Sequence, residues 1–495
     1  MSRGLVWYCC VVRVFVGFFG LRIAKSSVGV FSVSILVTVV GFVGTIFAAR
    51  VVGADGLGVF YLFTAVVSLV SFFTKFGVGG ATTKRVSEGR RQGELLTASL
   101  IISFVLFLVT SVFLYFFGGG VVDYIGSKWG FYLVFPSLLL LSINQVVGAG
   151  LSGEKKVALS HSLSLGGDIV RVSAWVFLLL LGTGVVGLFF GYLLGLVTSV
   201  VLGFVFLSIR LKKPSRGDFR SLFSYSKFSW LGGVRGRAWS WTDTIVLGFF
   251  VSSSFVGVYE ACWKISALFY FGATAISESI FPEISEWAAK NQITKIEDIL
   301  EESLVWVGLI SIPGFLGALV LGRSVLSVYG KEFTIGYLIL VVLAFARLLH
   351  SYETGFSRII NGLNRPDLMF KVNLVFLTLN IGGNIILVSL LDWIGAAIAT
   401  TASMAIGLTL TTYYTNKLIK ITVPWKEITK EFIAATLMAT LIYPIHLKFK
   451  PLDFIQTLLA VSLGTTIYLT ILLTTSKRIR TKIQKLIKEI TTKTN

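Results

Sequence analysis

The chain has 495 residues, 55% of them hydrophobic and 14% charged, with a formal charge of +20 and a mean hydropathy of +0.84. A soluble domain needs far more charge to wet its surface, so this composition excludes one and points to a membrane protein. The basic excess does not imply nucleic acid, because Lys and Arg are concentrated in alternate loops between apolar runs.

In chain order, residues 1–25 ("MSRGLVWYCCVVRVFVGFFGLRIAK") look like a short leader, but Arg13 interrupts the apolar core, so an interfacial segment is the alternative. Apolar stretches of about 17 to 25 residues, long enough to cross a bilayer as helices, then recur to the end of the chain. They predict an all-α polytopic membrane protein of fourteen spans: 28–50, 59–80, 95–117, 131–152, 158–181, 185–208, 226–250, 256–280, 304–326, 334–356, 368–391, 394–416, 431–448 and 454–475. Between the first two, "ARVVGADGLGVFYLF" holds Gly53, Asp55, Gly56 and Gly58, which disfavour helix; one helix is expected to end near Arg50 and the next to begin near Val59.

Loops after even-numbered spans carry Lys84, Arg85, Arg90, Arg91, Lys155, Lys156, Arg210, Lys212 and Lys213, whereas the opposite loops hold few cations. By the positive-inside rule the even loops and both termini are cytoplasmic. The acidic stretch "PEISEWAAKNQITKIEDILEES" from Pro282 reads as a cytoplasmic amphipathic linker, and the basic tail 477–495 as a helix on anionic lipid or a solvated helix. Cys9, Cys10 and Cys262 form no disulfide framework, and His161, His350 and His446 lie far apart, so no metal or cofactor is expected. "GAGLSGEKK" misses a phosphate-binding loop, with Glu154 where its Lys belongs and no strand before it.

The chain repeats. "TIFAARVVGADGLGVF" (Thr45–Phe60) aligns without gaps on "TIVLGFFVSSSFVGVY" (Thr244–Tyr259), and Gly153 and Gly187 match Gly362 and Gly395 at nearly the same separation. Both matches connect span n to span n+6, which predicts two parallel six-helix lobes related about the membrane normal. The last two spans have no copy and after Gly407 only Gly464 remains, so they are expected to pack peripherally. The resulting division is 26–210 N-lobe, 211–225 cytoplasmic linker, 226–420 C-lobe and 421–476 for the final pair.

Ala49-Arg50, Gly53 and "GLGVFYLF" followed by "TKFGVGGATTKRVSE" resemble the first two spans of polysaccharide-type flippases of the multidrug/oligosaccharidyl-lipid/polysaccharide exporter superfamily. Val52, Leu57 and Phe60 depart from that pattern. "DTIVLGFFVSSSFVGVYEACWKI", "INGLNRPDLMFKVNLV" and "DWIGAAIATTAS" extend the likeness to residues 26–420. The resemblance implies a transporter that flips isoprenoid-linked oligosaccharides by alternating access. Its partners would be the lipid-linked oligosaccharide, membrane lipids, glycosyltransferases of the same pathway and a coupling ion, with no nucleic acid. A cation-coupled multidrug exporter of the same superfamily and a membrane glycosyltransferase or polymerase are the competing readings.

On that reading, intramembrane ionisable residues are the candidates for an anionic phosphate and a hydrated cavity. Lys75, Arg235 and Arg237 are substrate candidates with interfacial anchoring as the alternative, and Arg347, sharing a face with Arg358 and near His350, is a candidate cavity-lining residue; Arg235 and Arg237 point about 200° apart on a helix, so only one can face a given cavity. Asp243 and Glu353 are candidates for coupling or counter-charge. Glu260 with Lys264 and Asp168 with Arg171 have the spacing of self-neutralising pairs. Arg50 is read as an interfacial anchor at a helix C-terminus.

Overall fold

The computed structural model describes residues 25–229, 234–448, 452–482 and 484. The leader reading of residues 1–25 and most of the basic tail lie outside them. The described residues form helices and connecting turns. They fall into two compact units, one closing at Gly257 and the other running from Val258. Among the described residues, ten helices are long and apolar enough to cross a membrane.

The first unit holds α1 (Lys25–Lys75), α2 (Val78–Ser87), α3 (Gln92–Phe116), α4 (Gly118–Ile125), α5 (Lys128–Gly153), α6 (Val157–Leu180), α7 (Val185–Phe206), α8 (Arg216–Ser229) and α9 (Val234–Phe250). At 51 residues α1 would be about 75 Å long if straight, more than twice the roughly 30 Å hydrocarbon core. It bends instead at Gly53, whose φ of 72° a side chain would strain. The expected gap from Arg50 to Val59 is therefore one residue wide: Ala54 to Gly58 are already helical, with Asp55 in the first turn of the second arm, where a carboxylate favours the helix dipole.

Gly58 has a different task. A β-carbon there would stand 1.7 Å from the Ser253 carbonyl oxygen and 3.0 Å from the Gly257 nitrogen; one on Gly257 would stand 2.0 Å from the Ala54 oxygen and 2.9 Å from the Gly58 nitrogen. The Ser253 hydroxyl also donates to Asp55. Gly58 and Gly257 occupy aligned positions in the two repeats, so the contact is reciprocal, and the helix break at Gly53 has its counterpart at Ser252, between α9 and the next helix.

Residues 211–225, read as a linker, contain the start of α8, which docks on this unit. Leu222 is buried among Ala81, Val86, Leu95 and Ala98. At the start of the helix, Asp218 accepts from the Ser215 N–H at 2.7 Å, from the Ser215 hydroxyl at 2.8 Å and from Arg91 at 2.8 Å. Burial alone would push the Asp218 carboxyl up; the Ser215 N–H and hydroxyl and the Arg91 guanidinium outweigh it and hold it below the usual carboxylate range.

The second unit holds α10 (Ser253–Ala289, from Val258 onward), α11 (Ile293–Ser327), α12 (Tyr337–Gly362), α13 (Pro366–Leu418), α14 (Trp425–Lys448) and α15 (Phe454–Thr475). The 53-residue α13 folds back at Leu391 and Asp392, and Asn380 on one arm donates to Thr400 on the other at 3.1 Å. The stretch from Pro282, read as an amphipathic linker, is helical: α10 and α11 run through it and turn only around Asn291, whose φ is 54°. Ile280 and Ile284 bury against Ile296 and Leu300 there, and this apolar seam makes the segment a helical hairpin. The final pair, α14 and α15, shares one core with α11, built from Trp306, Ile312, Ala434, Met438 and Leu472. Their far sides leave Leu437, Leu441, Leu458 and Leu463 exposed, as lipid contact requires.

The second sequence repeat is also visible in the backbone. After Gly153, Glu154 N–H bonds Gly150, Lys155 bonds Ser152 and Lys156 bonds Leu151; after Gly362, Leu363 bonds Ile359, Asn364 bonds Asn361 and Arg365 bonds Ile360. Lys155 (φ 63°) and Asn364 (φ 58°) take the same left-handed position.

Candidate functional site

The sequence-named residues divide between the units. In the first, Lys75 is the half-buried last residue of α1 and Arg50 is exposed one turn before the bend. Asp168 and Arg171 form an ion pair at 2.9 Å, and the Arg171 guanidinium lies over Trp175 at 5.1 Å, so this pair is neutral and packed. Asp243 is buried in α9. Arg235 and Arg237 fall in the first turn of α9, and their side chains lie outside the described residues.

In the second unit α10 and α12 build an aromatic and cationic cluster. Arg347 is 5% exposed, with its guanidinium 4.1 Å from the centroid of Trp263 and 6.0 Å from that of Tyr270. Its Nε–H donates to Ser266 at 3.5 Å. His350 stacks on Tyr270 at 4.1 Å and 7°, and the Tyr270 hydroxyl shares a 2.9 Å hydrogen bond with Thr354. Glu353 is buried and accepts from Ser357 at 2.5 Å, while Arg358 lies over Phe281 at 5.7 Å. The α12 stripe of Arg347, His350 and Arg358 therefore faces the aromatic stripe of α10, whose Trp263 and Tyr270 stand two turns apart. Glu260, also on α10, is buried, and Lys264 is half-buried. A guanidinium held against an indole stays charged and oriented, the state a phosphate recognises.

The first unit contains an open cavity of about 370 Å³ between α2, α5 and α6. Gly79, Thr83, Asn144, Gln145, Ser160 and Ser164 line it, and no lining residue is charged. Ser160 donates to the Gly148 carbonyl at 2.9 Å, and the Gln145 amide lies where a β-carbon on Gly79 would be. Hydroxyls and amides both donate and accept, so this lining suits an uncharged polyol better than an ion. Reasoning from ionisable residues missed it. The legible signal was the pair of helix-terminal runs "INQVVGAG" and "SHSLSL", polar faces on otherwise apolar spans.

Comparison with known proteins agrees with this architecture. Residues 24–288 match the family model described as "Polysaccharide biosynthesis protein". "Probable low-salt glycan biosynthesis flippase Agl15" of Haloferax volcanii is 31% identical over 454 residues, covering 92% of this chain and 96% of the relative. "Probable flippase AglR" of the same organism is 32% identical over 474 residues, covering 94% and 99%. Among solved structures, the lipid II flippase MurJ in an inward closed conformation superposes with a TM-score of 0.75 at 16% identity, covering 89% of this chain and 97% of that one. An inward-facing MATE family transporter of the MOP superfamily gives 0.63 at 15% identity, covering 82% and 98%. At such identities the last two establish a shared fold. The full-length sequence relatives and the family match carry the assignment: this multi-pass membrane chain belongs to the polysaccharide biosynthesis protein family, the polysaccharide-type flippases that its repeated motifs resemble.

Proposed function

We propose that this protein flips isoprenoid phosphate- or pyrophosphate-linked oligosaccharides across the cell membrane for surface glycan synthesis, by alternating access of two lobes, with both termini in the cytoplasm. The observation that carries the reading is identity above 30%, over more than nine-tenths of this chain, to a relative named a probable glycan biosynthesis flippase and another named a probable flippase. The uncharged polar cavity of the first unit and the Arg347 cluster of the second fit the two chemistries of such a cargo, saccharide hydroxyls and an anionic phosphate. Lys75, Arg235 and Arg237 remain the further cationic candidates, Asp243 and Glu353 the counter-charges, and glycosyltransferases of the same pathway the partners that supply the cargo. With no cytosolic catalytic module in the sequence, the chain is read as a transporter and the driving force as an ion gradient, the membrane potential or product consumption.

The test is transbilayer movement of a fluorescent isoprenoid-pyrophosphate oligosaccharide in proteoliposomes. Wild type should accelerate it, and Arg347→Ala, Lys75→Ala, Arg235→Ala and Arg237→Ala, each verified as folded, should identify the phosphate contact. Export of organic cations without movement of the lipid would overturn the proposal in favour of a drug exporter.

A further inference from the structure

The final helix pair has no counterpart in the repeat, yet it carries a fully buried carboxyl. Glu431 on α14 is 0% exposed, and neither carboxyl oxygen has a hydrogen-bond partner. The hydroxyls of Tyr352 on α12 and Tyr468 on α15 are also buried without partners, and both lie within electrostatic reach of this carboxyl. Gly308 on α11 makes the space: a β-carbon there would stand 2.1 Å from Glu431 Oε2 and 2.8 Å from the Tyr352 hydroxyl. Four helices thus converge on one carboxyl in an apolar core.

Several basic side chains near this core are engaged elsewhere. On α14 itself Lys430 pairs with Glu427 at 2.6 Å. In the N-terminal third of α11, Glu301 pairs with Arg478 at 2.7 Å and Glu302 with Lys482. His350 on α12 is stacked on Tyr270. An ionised carboxylate without a counter-ion or donor is too costly in such surroundings, and a group so placed takes up a proton instead. Glu427, one turn earlier on the same face and accepting from Ser476 at 2.5 Å, leads from the basic helix ends toward Glu431.

We propose that Glu431 is a proton-binding site, occupied while α11, α12, α14 and α15 pack as they do here and emptied when that packing admits water. Release transfers the acid proton from the carboxyl oxygen to water and leaves a hydrated carboxylate; rebinding reverses the step with no other reactant. Because the proton binds one packing and not the other, proton concentration biases the equilibrium between them. This rests on the flippase reading, in which that equilibrium is part of the transport cycle.

Two measurements test it. The first is infrared difference spectroscopy of the reconstituted full chain, wild type against Glu431→Gln, which keeps the shape of the uncharged acid. A protonated-carboxyl stretch present in wild type and absent from the variant is expected; no such difference overturns the proposal, whether or not any lipid is flipped. The second is flipping under an imposed pH gradient with the membrane potential clamped. Wild type should change rate severalfold, with about tenfold per pH unit as the ceiling for one proton, and the variant should flip at a rate the gradient does not alter. A variant that responds like wild type, or a wild type that flips without responding, overturns it. If Glu431→Gln does not fold, Tyr468→Phe serves: it should shift the titration of the same infrared band, and an unmoved titration counts against the site. A carboxyl band without lipid movement would leave the proton site standing and remove the flippase reading.

Discussion

Gly58→Ala is the sharpest test of the contact between the two repeats. Elsewhere in a helix, alanine for glycine stabilises by about 0.5–1 kcal/mol by restricting the unfolded chain. At Gly58 the new β-carbon would lie 1.7 Å from the Ser253 oxygen, against a carbon–oxygen contact of about 3.3 Å, so the backbones must separate by roughly 1.5 Å. The obstacle is backbone, which cannot rotate away like a side chain, and overpacking of this kind typically costs about 1–3 kcal/mol, enough to outweigh the propensity gain. Gly317, inside α11 with no atom within 4 Å of its would-be β-carbon, is the matched control. Thermal unfolding of the detergent-solubilised protein, followed by size-exclusion fluorescence, should show Gly58→Ala below wild type and Gly317→Ala at or above it. A Gly58→Ala protein as stable as the control would refute the close approach. Gly257→Ala should reproduce the loss, because its β-carbon meets the Ala54 oxygen at 2.0 Å.

Lys155→Asn should raise the melting temperature, since Lys155 sits exposed in a left-handed conformation that asparagine already occupies at Asn364; the gain is up to about 1 kcal/mol, and a lower melting point would contradict it. Asp218→Ala removes the cap and anchor of α8 and should lose about 1 kcal/mol, seen as faster protease cleavage between residues 207 and 229. Because the Asp218 carboxyl is held below its unfolded value, its contribution is complete above about pH 4 and is lost as pH falls through the folded value, so acid should loosen α8 in wild type and leave the alanine variant unchanged. Ser164→Phe should fill part of the polar cavity and slow movement of a glycan-bearing lipid while sparing the bare isoprenoid phosphate; equal effects on both would remove the cavity from saccharide recognition.

Much of the fold was written in one dimension. In lipid each span must satisfy its backbone internally, so long apolar runs can only be helices, and α15 occupies the predicted 454–475. The repeat was legible as well, because loops such as those after Gly153 and Gly362 take their shape from local hydrogen bonds and a left-handed residue. What the sequence concealed was everything decided by neighbours. A bend needs only one glycine once the next helix packs against it, so the break at Gly53 was narrower than its glycine content suggested. The stretch from Pro282 reads as an amphipathic linker from its local charges, but its isoleucines find partners only when α10 and α11 fold together. Lists of ionisable residues named Arg347 but not Trp263 or Tyr270, and passed over the uncharged lining of the first unit's cavity. They also gave no reason to separate Glu431 from Glu427. The two are one turn apart with the same chemistry; Lys430 reaches Glu427 at helical spacing, but only the tertiary packing brings Ser476 to Glu427 and leaves Glu431 sealed against Gly308.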